Sequence, residues 1–518
     1  MLARFLKGSV FGALAGAAIA LGSFASGVVI ARLLGVTQTG HVAYVVWLAL
    51  LVAPIIDLGF AATVGRYIPA LRGADDGEQV HAITGYLARR LVAACCLFVA
   101  AAIILLLILA DINRLSVAAP LAIAGGAVVV AQTLGAFAYA YFRGIVFTER
   151  AAQFAIASFA LQFLAVAGGS YAFGAVGAVG SYAVAMVLPA IFALFLTAKW
   201  GTVPPDMRKR MRRYALFAWG SNIAGALVWS RVEVFFLERY WGLDSVGLFA
   251  IALALSALAA QGPTLMANGV LAFMAEKHGR KDQAGVGAAY SAGTRAIALI
   301  AFPLCLSMVA AIPILLPAIY GKAFTGAVPA AMIIVAAAAI TVPSIIATNL
   351  VQAAERNDFI FGSSLVGAAV SMLCGILLIP RYGLVGAALS RAAVQLALVA
   401  IGAVFIHRAL GFAFPILALV RTFVAALLSS LVIAGCLLAT GTILVLVAAI
   451  PLAIASYPLT LRLLGVVSSS DAALMANGIA LLPSQLRPLC HRVVQFVVSS
   501  SNDDGSDFHG KASPPSPA

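Results

Sequence analysis

The sequence predicts an all-α polytopic membrane protein of about fourteen transmembrane helices. They form two six-helix bundles, related as parallel repeats around a central cavity, followed by two C-terminal helices. Three observations carry that expectation. Of 518 residues 63% are hydrophobic and only 10% charged, where soluble domains are nearer a quarter charged. Apolar runs long enough to cross a hydrocarbon layer of ~30 Å as helices recur from end to end. And the segment ARLLGVTQTGHVA, residues 31–43, returns as ERYWGLDSVGLFA at 238–250. At a constant offset Arg32 matches Arg239, Gly35 matches Gly242, Gly40 matches Gly247 and Ala43 matches Ala250.

Taken in order, span 1 is expected over 9–33, where abundant Gly and Ala permit close helix packing. Span 2 covers 41–63 with Pro54 inside it, and a polar, acidic loop follows at 70–79. Spans 3 to 6 fall at 91–110, 116–141, 151–172 and 175–198. A basic linker, KWGTVPPDMRKRMRR at 199–213, separates them from span 7 at 214–236, which carries Arg231 and Glu233 in its interior. Span 8 is 245–274. Span 9 is 284–319, and Pro303, Pro313 and Pro317 should bend it or make it irregular. Spans 10 to 12 are 327–352, 359–379 and 383–406. Two further spans, 414–440 and 443–464, complete the count. Residues 471–498 mix apolar and basic side chains in the manner of an interfacial helix. The polar, Pro- and Ser-rich end at 499–518 has a disordered composition.

Other pairs support duplication. Pro54 corresponds to Pro263, Glu149-Arg150 to Glu355-Arg356, and FGAVGAVGS at 173–181 to YGLVGAALS at 382–390. Near-constant offsets point to a duplicated six-helix unit. Because six is even, both copies enter the membrane in the same sense, about an axis along its normal. The expected division is 1–198 and 214–410 for the bundles, 199–213 for the linker, 411–465 for two added spans and 466–518 for the tail.

With 32 Lys and Arg against 18 Asp and Glu the formal charge is +14. A cytoplasmic N-terminus leaves only Arg32, Arg114, Arg239, Lys322 and Arg381 in the outer connections, so the excess is explained by retention of basic loops inside. An even span count puts the C-terminus inside as well. No nucleic-acid-binding signature accompanies the charge, so no nucleic-acid partner is expected. The six cysteines show no CxxC spacing, and the six histidines are scattered, so neither a metal nor another cofactor is expected.

The stretches ARLLGVTQTGHVAYVVWLALLVAPIIDLGFAATVGRYIP, WSRVEVFFLERYWGLDSVGLFAIA, PAIYGKAFTGAVPA, NLVQAAERND and IPRYGLVGAALSRA carry a resemblance. Over residues 9–408 the chain resembles the polysaccharide and O-antigen flippases of the multidrug/oligosaccharidyl-lipid/polysaccharide exporter superfamily. The resemblance implies movement of undecaprenyl-diphosphate-linked oligosaccharide from the inner to the outer leaflet of a bacterial inner membrane. It also implies membrane lipids as neighbours and a polysaccharide polymerase among possible assembly partners. Where this chain has Glu233 the family pattern often has aspartate.

Charge within apolar spans is costly and marks function. Arg231 has the planar donor fork to hold a diphosphate or acidic sugar, or to pair with another helix. Glu233 is a substrate-binding and proton-coupling candidate. Asp57 is a second proton-coupling candidate, and capping of the bend after Pro54 is its alternative role. Arg32 and Arg239, at equivalent helix ends, either reach outer headgroups or guard the cavity mouth. Arg295 and Arg391 are further cavity candidates. Two other functions compete: a small-molecule or cation antiporter of the same superfamily, and a membrane enzyme acting on polysaccharide. The antiporter predicts an anionic cavity. The enzyme needs a catalytic constellation, and the sequence shows no nucleophile–base pair, DxD-like acidic pair or phosphate-binding glycine loop.

Overall fold

The computed structural model describes residues 2–73, 76–110, 115–145, 148–229, 232–280, 282–354, 356–440, 442–467 and 487–498. Every regular element among them is helical: α1 Leu2–Asp57, α2 Phe60–Gly73, α3 Gly77–Ala110, α4 Leu115–Gly144, α5 Thr148–Ala185 and α6 Val187–Leu196. Then come α7 Pro205–Trp229, α8 Glu233–Gly279, α9 Gln283–Tyr320, α10 Val328–Thr341, α11 Ile345–Ala353 and α12 Asn357–Phe405. The chain continues through α13 Ile416–Thr440, α14 Leu446–Leu463 and α15 Arg487–Val498. Part of the expected tail helix, 471–486, and the whole of 499–518 lie outside the described residues.

Among the described residues, fourteen expected spans become 10 helices long and apolar enough to cross a membrane. Three pairs fuse at one glycine each, and most of span 7 lies in α7, which is not among the ten, while its last residues join span 8 at a fourth glycine. In α1, spans 1 and 2 join at Gly35 (φ 75°, ψ −175°), and in α8 the end of span 7 joins span 8 at Gly242 (φ 76°, ψ −179°). In α5, spans 5 and 6 join at Gly174 (φ 57°, ψ −136°), and in α12 spans 11 and 12 join at Gly383 (φ 53°, ψ −125°). A side chain disfavours that half of torsion space, whereas glycine enters it freely. Left straight, the 56 residues of α1 would extend ~84 Å, far beyond a ~30 Å layer. The glycine lets the chain turn back. Gly35 pairs with Gly242 and Gly174 with Gly383 at the offsets of the sequence repeat, and each pair shares its torsions. The duplication is therefore present in the backbone itself.

Three expectations need correction. Span 7 is not one helix: α7 begins at Pro205, inside the basic linker, and ends at Trp229, and α8 begins at Glu233. Span 9 is continuous as α9 despite its three prolines. The neighbouring span 10 breaks instead, at a 3-10 turn Val342–Ser344 between α10 and α11, where Ser344 Oγ donates to the Thr341 carbonyl (2.6 Å). In a membrane a freed carbonyl must find a donor, and here an adjacent hydroxyl supplies it. Span 2 stops at Asp57. A turn at Leu58 (φ 51°) and Gly59 (φ 76°) then starts α2, so the predicted loop at 70–79 shrinks to a connection between Gly73 and Gly77.

The apolar core falls into two large clusters. One gathers buried residues from Ile30 to Met211. The other runs mainly from Val234 to Ala426 and draws Ala31 and Trp47 across from α1. One hydroxyl ties the added helices to the second half, and two tie them to each other. Tyr457 of α14 donates to the Leu299 carbonyl of α9 (2.9 Å), while between α13 and α14 Ser429 donates to the Ala453 carbonyl (2.7 Å) and Thr460 to that of Ala425 (3.2 Å). Such bonds hold helices together where lipid offers no hydrophobic drive for packing.

Candidate functional site

The two copies of the opening motif pack on each other. A Cβ on Gly40 would overlap the Leu243 carbonyl oxygen, and one on Gly247 would overlap the Val36 carbonyl oxygen. Leu243 is the repeat mate of Val36, as Gly247 is of Gly40, so the contact is reciprocal in the manner of a two-fold interface. The Gly174 and Gly383 turns gather at this same end, near Gln38 and Trp241 respectively.

One turn beyond the glycine contact, α1 and α8 part around a cavity of ≈ 500 Å³. Its wall includes Ser23, Phe24, Thr39 and Trp47 from α1, Tyr182 from α5 and Gln261 from α8, set among small aliphatic residues. No charged side chain lines it among the described residues. Trp47 is 9% exposed, and its indole N–H has no hydrogen-bond partner among the described residues. A buried donor without an acceptor costs about 1–3 kcal/mol, so this edge of the wall is chemically unfinished. The wall therefore offers aromatic faces and neutral hydrogen-bonding groups.

The charged candidates lie elsewhere. Arg32 is at the Gly35 end of α1, where Nε donates to the Ile319 carbonyl (2.8 Å) and Nη2 to that of Ala318. It thus closes the C-terminal turn of α9, where unsatisfied carbonyls and the helix dipole favour a cation. Arg239 is exposed, with no hydrogen bond or ion pair among the described residues. Glu233 is 1% exposed and opens α8, where a carboxylate complements the free N–H groups of a first turn. Arg231 lies outside the described residues. Glu233 is not inside span 7 as expected but at the start of α8. Asp57 is buried and accepts from the Ala61 amide (3.1 Å), capping α2 across the Leu58–Gly59 turn. Arg295 donates to Ser291 Oγ one turn back (2.8 Å), and Arg391 is half-buried in α12. None of the described candidates is in the cavity wall.

Sequence reasoning passed over Trp47, Tyr182 and Gln261. Each is a single polar or amphipathic residue in an apolar span, which reads as ordinary helix. The available signal was position: Trp47 and Gln261 lie shortly after the two matched glycine turns, on the helices that the repeat brings face to face.

Two sets of long apolar helices, packed on each other at one end and parted around a cavity farther in, define a fold known from membrane transporters. The solved structures similar to this chain have that fold. The lipid II flippase MurJ in an inward closed conformation matches with a TM-score of 0.67 at 13% identity, over 88% of this chain and 98% of that one. An inward-facing multidrug resistance MATE family transporter matches with a TM-score of 0.59 at 14% identity, over 75% and 96%. A superfamily transporter from Pyrococcus furiosus, described as having a binding pocket of reversed polarity, matches with a TM-score of 0.51 at 15% identity, over 82% and 96%. No curated protein sequence matches the chain. The family model for polysaccharide biosynthesis proteins matches residues 5–275, and the chain belongs to that family.

Proposed function

We propose that this protein is a flippase carrying undecaprenyl-diphosphate-linked oligosaccharides across a bacterial inner membrane for O-antigen, capsule or exopolysaccharide synthesis. The observation that carries the reading is the cavity between the halves. Membership of a polysaccharide biosynthesis family calls for a passage that accepts sugars. Aromatic faces and neutral donors and acceptors suit hydroxyl-rich rings with apolar C–H faces. The antiporter reading calls for carboxylates to meet a cation, and the described cavity wall contains none.

In this reading both termini are cytoplasmic, which puts the Gly35 end on the outer face. The bundles comprise 1–198 and 214–410, and they rock against each other between inward- and outward-open states. Arg231 and Glu233, two residues apart in sequence, contribute to headgroup recognition or proton coupling. A deletion strain complemented in trans tests the proposal. Wild-type protein should restore surface polysaccharide. Trp47→Ala should lower it about tenfold at normal protein abundance, the loss of roughly one good polar or stacking contact. Wild-type polysaccharide in the uncomplemented deletion would end the flippase reading.

A further inference from the structure

A second cavity, of ≈ 570 Å³, lies at the opposite end of the molecule from the glycine contact, where α7 docks on the turn between α1 and α2. Arg90 of α3 and Arg208, Lys209 and Arg212 of α7 line it, with no acidic residue in the wall. All four are exposed, and none has a carboxylate partner among the described residues. Arg208 and Arg212 are four residues apart on one helix face, a spacing at which like charges repel. Beneath the cations the wall is apolar: Leu58, Phe60, Leu87, Met211 and Leu216. Leu58 and Leu216 remain exposed at its edge.

The helices that carry the cations are anchored. The Gly59 turn admits α7 so closely that a Cβ there would overlap the Ala215 carbonyl. Trp219 Nε1 donates to the Ile55 carbonyl (3.0 Å), and Arg66 stacks on Tyr214 at 4.5 Å. Arg90 lies over the Tyr86 ring at 4.6 Å. Four cations without a carboxylate partner among the described residues, carried on anchored helices, form a site whose backbone is ordered before a ligand arrives.

We propose that this cavity binds the phosphate of a lipid whose chain leaves over Leu58 and Leu216 into the adjoining leaflet. A free inorganic anion would use the cations but not the apolar floor, and a soluble polyanion would gain nothing from the exposed leucines. An amphiphile with a phosphate ester on a hydrocarbon chain uses both. The site needs the proposed orientation only to say that this leaflet is the cytoplasmic one. Whether the central cavity carries sugars does not affect it.

Two lipids have this chemistry: a resident glycerophospholipid and a polyprenyl diphosphate. The full-length protein in phosphatidylcholine nanodiscs is offered phosphatidylglycerol or farnesyl diphosphate, and retained ligand is measured by native mass spectrometry. Wild-type protein should retain at least one of them. The Arg90→Gln/Arg208→Gln/Arg212→Gln variant should retain about tenfold less or lower, since each charge-assisted contact is worth about that factor. Loss confined to phosphatidylglycerol assigns a resident lipid, and loss confined to farnesyl diphosphate assigns the carrier. The single variants Arg90→Gln and Arg208→Gln should show graded losses if the triple variant folds poorly, and Arg208→Lys should retain most of the binding. Equal retention by wild type and all glutamine variants overturns the site. No transport is read, so failure of the flippase proposal leaves this outcome untouched.

Discussion

Arg32 and Arg239 occupy equivalent places in the two repeats, but only Arg32 reaches a helix end that needs it. Its two bonds to the Ile319 and Ala318 carbonyls tie α1 to α9, whereas Arg239 has no such acceptor among the described residues. Arg32→Ala should therefore cost about 1 kcal/mol, the upper end for an exposed cation at a helix C-terminus, and Arg239→Ala should leave stability unchanged. Thermal unfolding in detergent compares them, and equal losses would show that Arg32 contributes nothing through α9. The sequence shows both arginines at helix ends but not which carbonyls lie in reach, because Ile319 is 287 residues away. Asp57 was legible as a cap because Pro54 and Gly59 bracket it. Glu233 was misplaced into a helix interior because no proline or glycine marks the break after Trp229.

Among elements, the four glycine turns were visible as sequence and only their economy was not: one residue replaces a loop. The cap on α9 is a further case. Asp282 precedes the helix, accepts from the Gly285 amide (2.8 Å) through Oδ1 and from Lys277 Nζ (2.9 Å) through Oδ2. The Lys277 hydrogen bond, aided by the Gly285 amide, holds this carboxyl below the usual carboxylate range. The folded state thus binds fewer protons than the unfolded chain in acid, and stability rises with pH there. The contribution is fully present above the ordinary carboxylate pKa of ~3.9 and is lost as pH falls through the lowered folded value. Asp282→Asn should unfold at lower temperature than wild type at pH 6 and converge with it in stronger acid. A gap that persists unchanged at low pH would assign the effect to something other than this charge. The charged loop was evident from residues 276–282, while the pairing within it depends on the turn that brings Lys277 back to Asp282.

For the whole molecule, the sequence anticipated a cleft between two halves, and the described wall of that cleft is uncharged. Constant offsets implied two similar bundles facing each other, and the reciprocal contact of Gly40 and Gly247 is the point at which they meet. The arginine candidates were read from places near helix ends or inside spans, and Arg32 for one serves helix carbonyls. A list of charges cannot say which way they face. The contact at the glycines has a consequence for transport. It closes the cavity at the proposed outer face, and it exists only because both residues lack a side chain. Gly40→Val and Gly247→Val each drive a branched side chain toward a backbone carbonyl of the other half, which cannot yield as a flexible side chain can. Overpacking of this kind costs about 1–3 kcal/mol, and the cost falls only on the state in which the glycines touch. A penalty of that size would shift the closed-to-open ratio about 5- to 150-fold. The reporter is Thr39→Cys, a cavity-wall position one residue from Gly40, treated with a membrane-impermeant maleimide from outside the cell. Labelling should be slow with both glycines present and several-fold faster with either valine, while polysaccharide export falls because the cavity no longer closes on that side. Unchanged labelling in folded valine variants would show that the glycine contact is packing within one rigid body rather than the outer closure of the transporter.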